Sequence, residues 1–298
     1  MKQKYITMLA LSMVLASCKD NEIFEKEMYK NEVALISSSY YNTFQEVVPL
    51  TGKEVTGYIA ASAGGTHSPK QDMVIQLEED NTQLDFYNRS LFDADEKLYA
   101  KLLPKDKYEI MDYKILIKAG ERTGRTMVKL HPDGLSPDST YFIELRAADV
   151  AGVEINSKKN SILYQVLIKN DYASQAENTF YSMSGLVDGR VTAGNKKLFP
   201  LTNNSVRVIA GTESFENNER HINENSIVLE VGSNNNIIIK PYKDITVRQL
   251  DGDARYPNVF RVEESFGRKF NVFLLSYEYV VNGVTQHMQE ELRIEINR

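Results

Sequence analysis

The chain has 298 residues, of which 42% are hydrophobic, and its formal net charge at pH 7 is −6. This length and apolar content are sufficient for two domains with buried cores. Binding to phosphate backbones requires a basic surface, so the acidic balance argues against a nucleic-acid partner.

The N-terminal residues have the three parts of a secretory signal peptide. Lys2 and Lys4 precede an apolar run from Ile6 to Ala16, which is shorter than the roughly 20 residues that span a bilayer. Cys18, the only cysteine, stands where a lipoprotein signal peptidase would leave it as the new N-terminus. We therefore expect residues 1–17 to be a lipoprotein signal peptide, and a lipid on Cys18 to hold the protein at the outer membrane, on the cell surface. The alternative is an ordinary signal peptide with a chance cysteine.

The residues after the signal peptide change character near position 31. Residues 19–30 are charged and have no strand or helix periodicity, so residues 18–30 are predicted to form a tether. Beyond them, short apolar runs with period-two alternation are separated by turn residues, which is typical of half-buried strands. Regular short strands of this kind predict a β-sandwich over residues 31–170. The predicted strands are 55–61, 73–77, 113–117, 126–130, 141–147 and 162–168.

One segment of this first block has helical spacing. Between Asn81 and Leu102, apolar residues recur at intervals of three, four and seven. We predict one or two short helices here, interrupted at residues 93–95.

A polar stretch at residues 169–179 is the predicted boundary before a second domain, residues 171–298. The strands predicted beyond it are joined by tight turns, which indicates an antiparallel meander that closes as a lipocalin-like barrel or packs as a sandwich. These strands are 206–210, 227–231, 237–240, 245–250, 259–262, 270–281 and 284–296, and turns are predicted at 232–236, 251–252, 266–267 and 282–283.

The last two strands can be placed in register. Asn282-Gly283 is a strong signal for a two-residue hairpin loop. The loop pairs Val281 with Val284, and the alternate pairs that follow form a largely apolar face that should point inward. These pairs are Tyr279 with Gln286, Tyr277 with Met288, Leu275 with Glu290, and Phe273 with Leu292. The other face should meet water; it carries Ser276, Glu278, His287, Gln289, Glu291 and Arg293.

Two polar residues, Gln286 and Glu290, interrupt the inward face beside Tyr277 and Tyr279. A buried carboxylate must be paired or hydrated. Two interpretations stay open: a local hydrogen bond, for example from a tyrosine hydroxyl, or a polar barrel interior that binds a small ligand. The candidate ligand-binding residues are therefore Tyr277, Tyr279, Gln286 and Glu290.

Motifs for catalysis, metals and cofactors are missing from the sequence. The four histidines are scattered, and no nucleophile elbow, phosphate loop or dinucleotide fingerprint occurs. Asp93-Ala94-Asp95-Glu96 begins like a calcium loop but lacks the glycine and glutamate that such a loop needs. We predict no catalytic residue, no metal ligand and no cofactor. A pair of glycosidase carboxylates needs only to meet in space, so the sequence does not select one.

Several short motifs resemble the surface lipoproteins of Bacteroidetes. One set resembles an Ig-like N-terminal domain of these proteins: Leu103-Pro104, Tyr108, Ile117-Lys118-Ala119-Gly120, Leu135-Ser136-Pro137, Tyr141 and Leu145. A second set resembles the β-rich C-terminal domain often joined to it: Pro200-Leu201, Ile239-Lys240-Pro241-Tyr242 and Leu275-Ser276-Tyr277-Glu278-Tyr279. Asp20 and Glu22 are similar to the signal that exports such lipoproteins to the outer leaflet.

The resemblance implies an Ig-like sandwich in a lipoprotein of a polysaccharide-utilisation system, next to an outer-membrane importer complex. It supplies no residue-level site. The leading hypothesis is a non-catalytic glycan-binding module that captures oligosaccharide or glycoprotein glycan through the second domain, by stacking on tyrosine rings and by hydrogen bonds from Gln and Glu. The alternatives are a structural or adhesive, fimbria-associated lipoprotein that pairs edge strands, and a glycoside hydrolase accessory. The chain has 17 Tyr and 12 Phe but no Trp, and a high tyrosine content is also typical of any β-rich protein.

Overall fold

The computed structural model describes residues 28–38, 40–150, 152–177 and 179–296. The predicted signal peptide, Cys18 and all but the last residues of the predicted tether lie outside this part of the chain. Within it, no helix has the length and apolar character needed to cross a membrane.

The first block is a two-sheet β-sandwich. One sheet has the order β10-β1-β3-β8-β6, and the other has the order β2-β11-β9-β4-β7 with β5 beside β9. Between them lies one core, which includes Ile59, Ile75, Ile115, Leu145 and Val166. The strands are β1 Glu32–Leu35, β2 Thr43–Pro49, β3 Val55–Ala63, β4 Met73–Glu79, β5 Lys101–Leu102, β6 Tyr108–Ile110, β7 Lys114–Ile117, β8 Thr123–Leu130, β9 Tyr141–Val150, β10 Glu154–Ile155 and β11 Ser161–Lys169.

Helix α1, Thr82–Phe92, covers the outer face of the second sheet. It ends at Asp93, whose positive φ of 50° breaks the helical hydrogen bonding, and a single 3₁₀ turn follows at Glu96–Leu98. The helix and its predicted interruption are thereby confirmed. A small separate core forms beneath α1 from Leu84, Ala100, Phe142 and Leu163.

The second block also consists of two sheets around one core. Their orders are β13-β12-β21-β20-β18, with β19 beside β20, and β14-β15-β16-β17. The strands are β12 Phe180–Val187, β13 Arg190–Lys197, β14 Phe199–Thr202, β15 Ser205–Ile209, β16 Ser226–Val231, β17 Ile237–Pro241, β18 Val247–Gln249, β19 Val259–Ser265, β20 Arg268–Val281 and β21 Val284–Ile296; helix α2 is Glu219–Asn225. The prediction of an all-β fold with antiparallel pairing in this block is confirmed.

Within the described chain, the connectivity of this block departs from a simple meander at one strand only. β12 pairs with β21, so the first and last strands of the block are neighbours, as in a meander that closes. The predicted hairpin turn at residues 251–252 is wrong, because β18 and β19 both pair with β20, at opposite ends of that long strand.

An ion pair between a buried arginine and a more exposed aspartate joins the two blocks. Arg207 on β15 is fully buried, and its Nη2 donates to Asp138 Oδ1 of the first block at 2.6 Å. The guanidinium lies over the rings of Phe199 and Tyr242, 4.4 and 5.1 Å from their centroids. The first core ends at Ile168 and the second begins at Ala173, while the boundary between residues 170 and 171 stays a prediction.

Candidate functional site

The C-terminal hairpin has the predicted register. Val281 pairs with Val284, Tyr279 with Gln286, Tyr277 with Met288, Leu275 with Glu290, and Phe273 with Leu292. Asn282 and Gly283 both have positive φ, 52° and 75°, as a two-residue hairpin loop of this type requires. Register and turn are therefore confirmed.

The four predicted ligand-binding residues lie together on the inward face and bind one another. The Tyr277 hydroxyl donates to Glu290 Oε1 at 2.7 Å, and the Tyr279 hydroxyl donates to Gln286 Oε1. Tyr277, Tyr279 and Glu290 are buried, and Gln286 is partly buried. Burial in the core raises the pKa of both tyrosines.

A lysine that the sequence analysis did not select completes this network. Lys196 on β13 donates from Nζ to Glu290 Oε1 at 2.9 Å, and the same ammonium lies 2.7 Å from Oε2. Both side chains are buried, and burial lowers the pKa of Lys196 while the carboxylate opposes that shift. The ammonium therefore neutralises the buried carboxylate; Oε1 accepts two hydrogen bonds, while Oε2 has the nearby charge but no hydrogen bond.

The loop after β15 closes the network on its remaining side. The Gly211 amide donates to the Tyr277 hydroxyl at 2.9 Å, and Gly211 has a φ of +59°. A Cβ placed on Gly211 would lie 1.8 Å from the Tyr279 hydroxyl, so only glycine fits there. The four side chains thus form the local hydrogen-bonding arrangement of the first interpretation, and their ligand-binding role stays a prediction.

The outer face of the hairpin is less exposed than predicted. Ser276 is buried, and Glu278, His287, Gln289, Glu291 and Arg293 are only partly exposed. The cause is the segment before β19, which folds across this face: Asn258 Oδ1 accepts the Ser276 amide at 2.8 Å, and Asp253 binds Gln289. Part of the polar surface of this face is therefore hydrogen-bonded to that segment and is not in contact with water.

The first block carries an exposed group of aromatic rings, Tyr40, Tyr41 and Phe86, which we call the aromatic surface. Tyr40 is 70% exposed and Phe86 is 45% exposed. The Tyr41 ring lies 4.7 Å from Tyr40, 5.9 Å from Phe86 and 5.3 Å from Tyr87, between ring centroids. Tyr87 in turn packs on buried Phe142, so the aromatic surface is continuous with the core beneath α1. The ring planes are inclined at 44–89° to one another, so the exposed Tyr40 and Phe86 rings offer separate apolar faces to a ligand.

Polar contacts fix α1 beneath this surface. Both carboxylate oxygens of Glu144 accept backbone amides of α1, from Gln83 at 2.8 Å and from Leu84 at 3.0 Å. The Gln83 side chain donates to the Tyr41 carbonyl at 3.1 Å, which joins the helix to the loop that carries Tyr40 and Tyr41. Asn88 binds both backbone groups of Ala100 and secures the far side of the helix.

Burial dominates the electrostatics of Glu144. Only 3% of this residue is exposed, and burial raises the pKa of its carboxyl to about 7. The amides of Gln83 and Leu84 oppose the rise, because a hydrogen bond to a carboxylate favours its ionised form. The charges of Asp80 and Asp85 add to the rise.

An open cleft of about 740 Å³ lies at the other side of the first block, near the point where the described chain begins. It is lined by Lys30, His67, Asp72, Glu154 and neighbouring residues, and none of the described residues that line it is Phe, Tyr or Trp. Lys30 Nζ lies 2.6 Å from a Glu154 carboxylate oxygen within it. Across the described ranges, no group of three or more His, Cys, Asp and Glu side chains is arranged to hold a metal ion.

Two family models match the chain in succession. One is described as an N-terminal domain and matches residues 24–154; the other is described as a C-terminal domain and matches residues 160–293. Among curated proteins, the sequence has no match.

Solved structures from Bacteroides have a similar fold along almost the whole chain. A Bacteroides ovatus protein of unknown function is 13% identical, with a TM-score of 0.64, and the match covers 89% of this chain and 94% of that one. A multidomain B. ovatus protein that includes DUF1735 is 14% identical, with a TM-score of 0.62 over 88% and 94%. An auxiliary nutrient binding protein from Bacteroides thetaiotaomicron is 13% identical, with a TM-score of 0.59 over 87% and 94%. At these identities the likeness establishes a shared fold.

Proposed function

We propose that this protein is a lipid-anchored surface protein that binds glycan without catalysis, as a component of a polysaccharide-utilisation system. The aromatic surface is the observation that carries the proposal. A sugar ring presents an apolar C–H face that can stack on exposed tyrosine and phenylalanine rings, while its hydroxyls stay in water. The shared fold with an auxiliary nutrient binding protein supports the same class of function.

The lipid anchor would make this binding useful to the cell, because it holds the bound glycan at the membrane surface. A lipid on Cys18 would keep captured oligosaccharide within the reach of the tether, and so raise its concentration at a neighbouring importer complex. We place the aromatic stacking in the first block, because the tyrosines expected to stack in the second domain, Tyr277 and Tyr279, are buried.

An array of immobilised glycans probed with the mature protein tests the proposal. Saturable binding is expected to weaken about 3- to 10-fold in Tyr40→Ala and in Phe86→Ala, since one ring contact contributes about 0.5–1.5 kcal/mol. The matched control is Phe266→Ala, which removes a fully exposed ring from a turn of the second block. Absence of binding across the array, or equal losses in all three variants, would reject glycan capture at this surface.

A structural or adhesive role is the second candidate, and one observation favours it. Among the described strands, β13 pairs only with β12, and its Val191 is 87% exposed. An open edge strand can pair with a strand of another chain. Co-purification of a protein polymer that is lost in Val191→Lys, but kept in Val284→Lys, would favour this role, because Val284 is exposed at the hairpin turn.

A further inference from the structure

Glu144 binds the helix turn that is hydrogen-bonded to the loop on the other side of the aromatic surface. Its carboxylate binds the amides of Gln83 and Leu84 in the first turn of α1, and Phe86 follows within the same helix. The Gln83 side chain binds the Tyr41 carbonyl, so a shift of this helix turn would also shift the loop that carries Tyr40. The position of the exposed rings therefore depends on a carboxyl buried on β9.

We propose that Glu144 is a positioning residue for the aromatic surface and makes glycan retention depend on pH, with tighter retention in mildly acidic than in alkaline solution. The part of this proposal that concerns glycan rests on the proposed function. The part that concerns the position of α1 does not.

The direction of the pH dependence follows from a comparison of two states, with α1 docked on β9 and with α1 lifted from it. The state in which the Glu144 carboxyl has the higher pKa is favoured at low pH. Beneath α1 the pKa of Glu144 is raised to about 7 by burial; when α1 lifts from β9 the carboxyl regains water, and the pKa returns toward its usual 4.5. The docked helix therefore binds the proton more strongly, and docking weakens as the pH rises from 4.5 to 7. The difference between these two pKa values changes the equilibrium constant for docking of α1 by at most about 300-fold. The protonated carboxyl keeps its carbonyl oxygen as an acceptor for one amide, and its hydroxyl oxygen accepts the other more weakly.

The surrounding charges agree with this direction. Asp80, in the segment before α1, and Asp85, on α1, both favour the protonated form of Glu144. On β9 itself, Arg146 forms an ion pair with Glu78, and its Nε lies 3.4 Å from Asp80 Oδ2. The guanidinium is therefore paired with carboxylates other than Glu144. On β11 the residue paired with Glu144 is uncharged. Hydrogen bonds from Thr82 lower the pKa of Asp80, which keeps that carboxylate ionised through the neutral range.

The absence of tryptophan from the chain allows a test that needs no ligand. Phe86→Trp places a single indole on the aromatic surface, and acrylamide quenching measures its accessibility. We expect quenching to rise about twofold or more between about pH 5 and pH 8, with a midpoint near 7, and to stay level when Glu144→Gln is added. The matched control is Phe266→Trp, which should show no such midpoint. A level profile without Glu144→Gln, or the same rise with it, would overturn the proposal.

Two further measurements complete the test. The first uses the unmodified protein, so that it does not depend on the folding of a variant, and the second separates the positioning role from glycan binding. In the unmodified protein, the ¹⁵N amide signals of Gln83 and Leu84 should titrate together with a midpoint near 7; signals that do not move would contradict the role of Glu144. Retention on the immobilised glycan array should be stronger near pH 5.5 than near pH 8, and this difference should vanish in Glu144→Gln. If the indole and the amides titrate but no glycan is retained at either pH, the proposed function fails while the positioning role stands. Retention that is equal at both pH values would reject the link between Glu144 and glycan.

Discussion

Removing one member of the buried ion pair in the second block should destabilise the protein strongly. Lys196→Met takes away the ammonium that contacts both oxygens of Glu290, 2.9 and 2.7 Å away, and leaves a fully buried carboxylate with the Tyr277 hydroxyl as its remaining partner. Breaking a buried pair by removing one partner costs about 3–5 kcal/mol, because the other charge stays desolvated. We expect the free energy of unfolding to fall by about this amount.

The second substitution in the pair should recover most of that loss. Adding Glu290→Gln to Lys196→Met removes the orphaned charge and keeps an oxygen to accept the Tyr277 hydroxyl. The double variant is expected to lie within about 1–2 kcal/mol of the wild type. The matched control is Lys240→Met, which breaks the partly exposed ion pair with Glu230; it should cost less than about 1 kcal/mol.

Urea denaturation followed by tyrosine fluorescence measures these differences, because the chain contains 17 Tyr and no Trp. The midpoint should shift far more in Lys196→Met than in Lys240→Met, with the double variant between Lys196→Met and the wild type. Equal shifts in the two single lysine variants would refute the buried pair. A double variant less stable than Lys196→Met would refute the reasoning about the orphaned carboxylate.

Three further predictions concern stability and anchoring. Because burial raises the pKa of Glu144 to about 7, above its usual 4.5, its contribution to folding is lost as the pH rises between these values; thermal or urea unfolding should show a decline of at most about 3 kcal/mol, absent in Glu144→Gln. Gly211→Ala should destabilise by about 1 kcal/mol or more beyond Gly252→Ala in the same assay, since both positions have positive φ but only Gly211 meets another side chain, the Tyr279 hydroxyl; equal losses would contradict this contact. Cys18→Ala should move the protein from membrane to soluble fractions and abolish incorporation of a palmitate probe, and an unlabelled wild-type protein would contradict the predicted anchor.

Local signals were sufficient for the parts of the fold that are close in sequence. Asn282-Gly283 and the alternation on either side of it determine one hairpin register, because a slip by one residue would bury the opposite face. The apolar spacing between Asn81 and Leu102 likewise indicated α1 and its interruption. In both cases the residues that interact lie within about twenty positions of each other, where period and turn chemistry are strong constraints.

The parts that could not be predicted depend on contacts between distant residues. Lys196 and Glu290 are 94 positions apart and meet only because β12 lies between β13 and β21. The same limit explains the covered outer face of the hairpin, since nothing local to Ser276 indicates the segment that binds it. The aromatic surface was missed for another reason: a helical pattern shows which residues share the buried side, and Phe86 lies on the opposite side, next to a loop some forty positions earlier.

The bridge between Arg207 and Asp138 bears on how the molecule can be divided. A fragment that starts at residue 171 would keep the guanidinium between Phe199 and Tyr242 but would lack its anionic partner. Such a fragment would leave that cation without its counter-charge. Joining the second half to an unrelated domain would therefore require a replacement carboxylate beside Arg207.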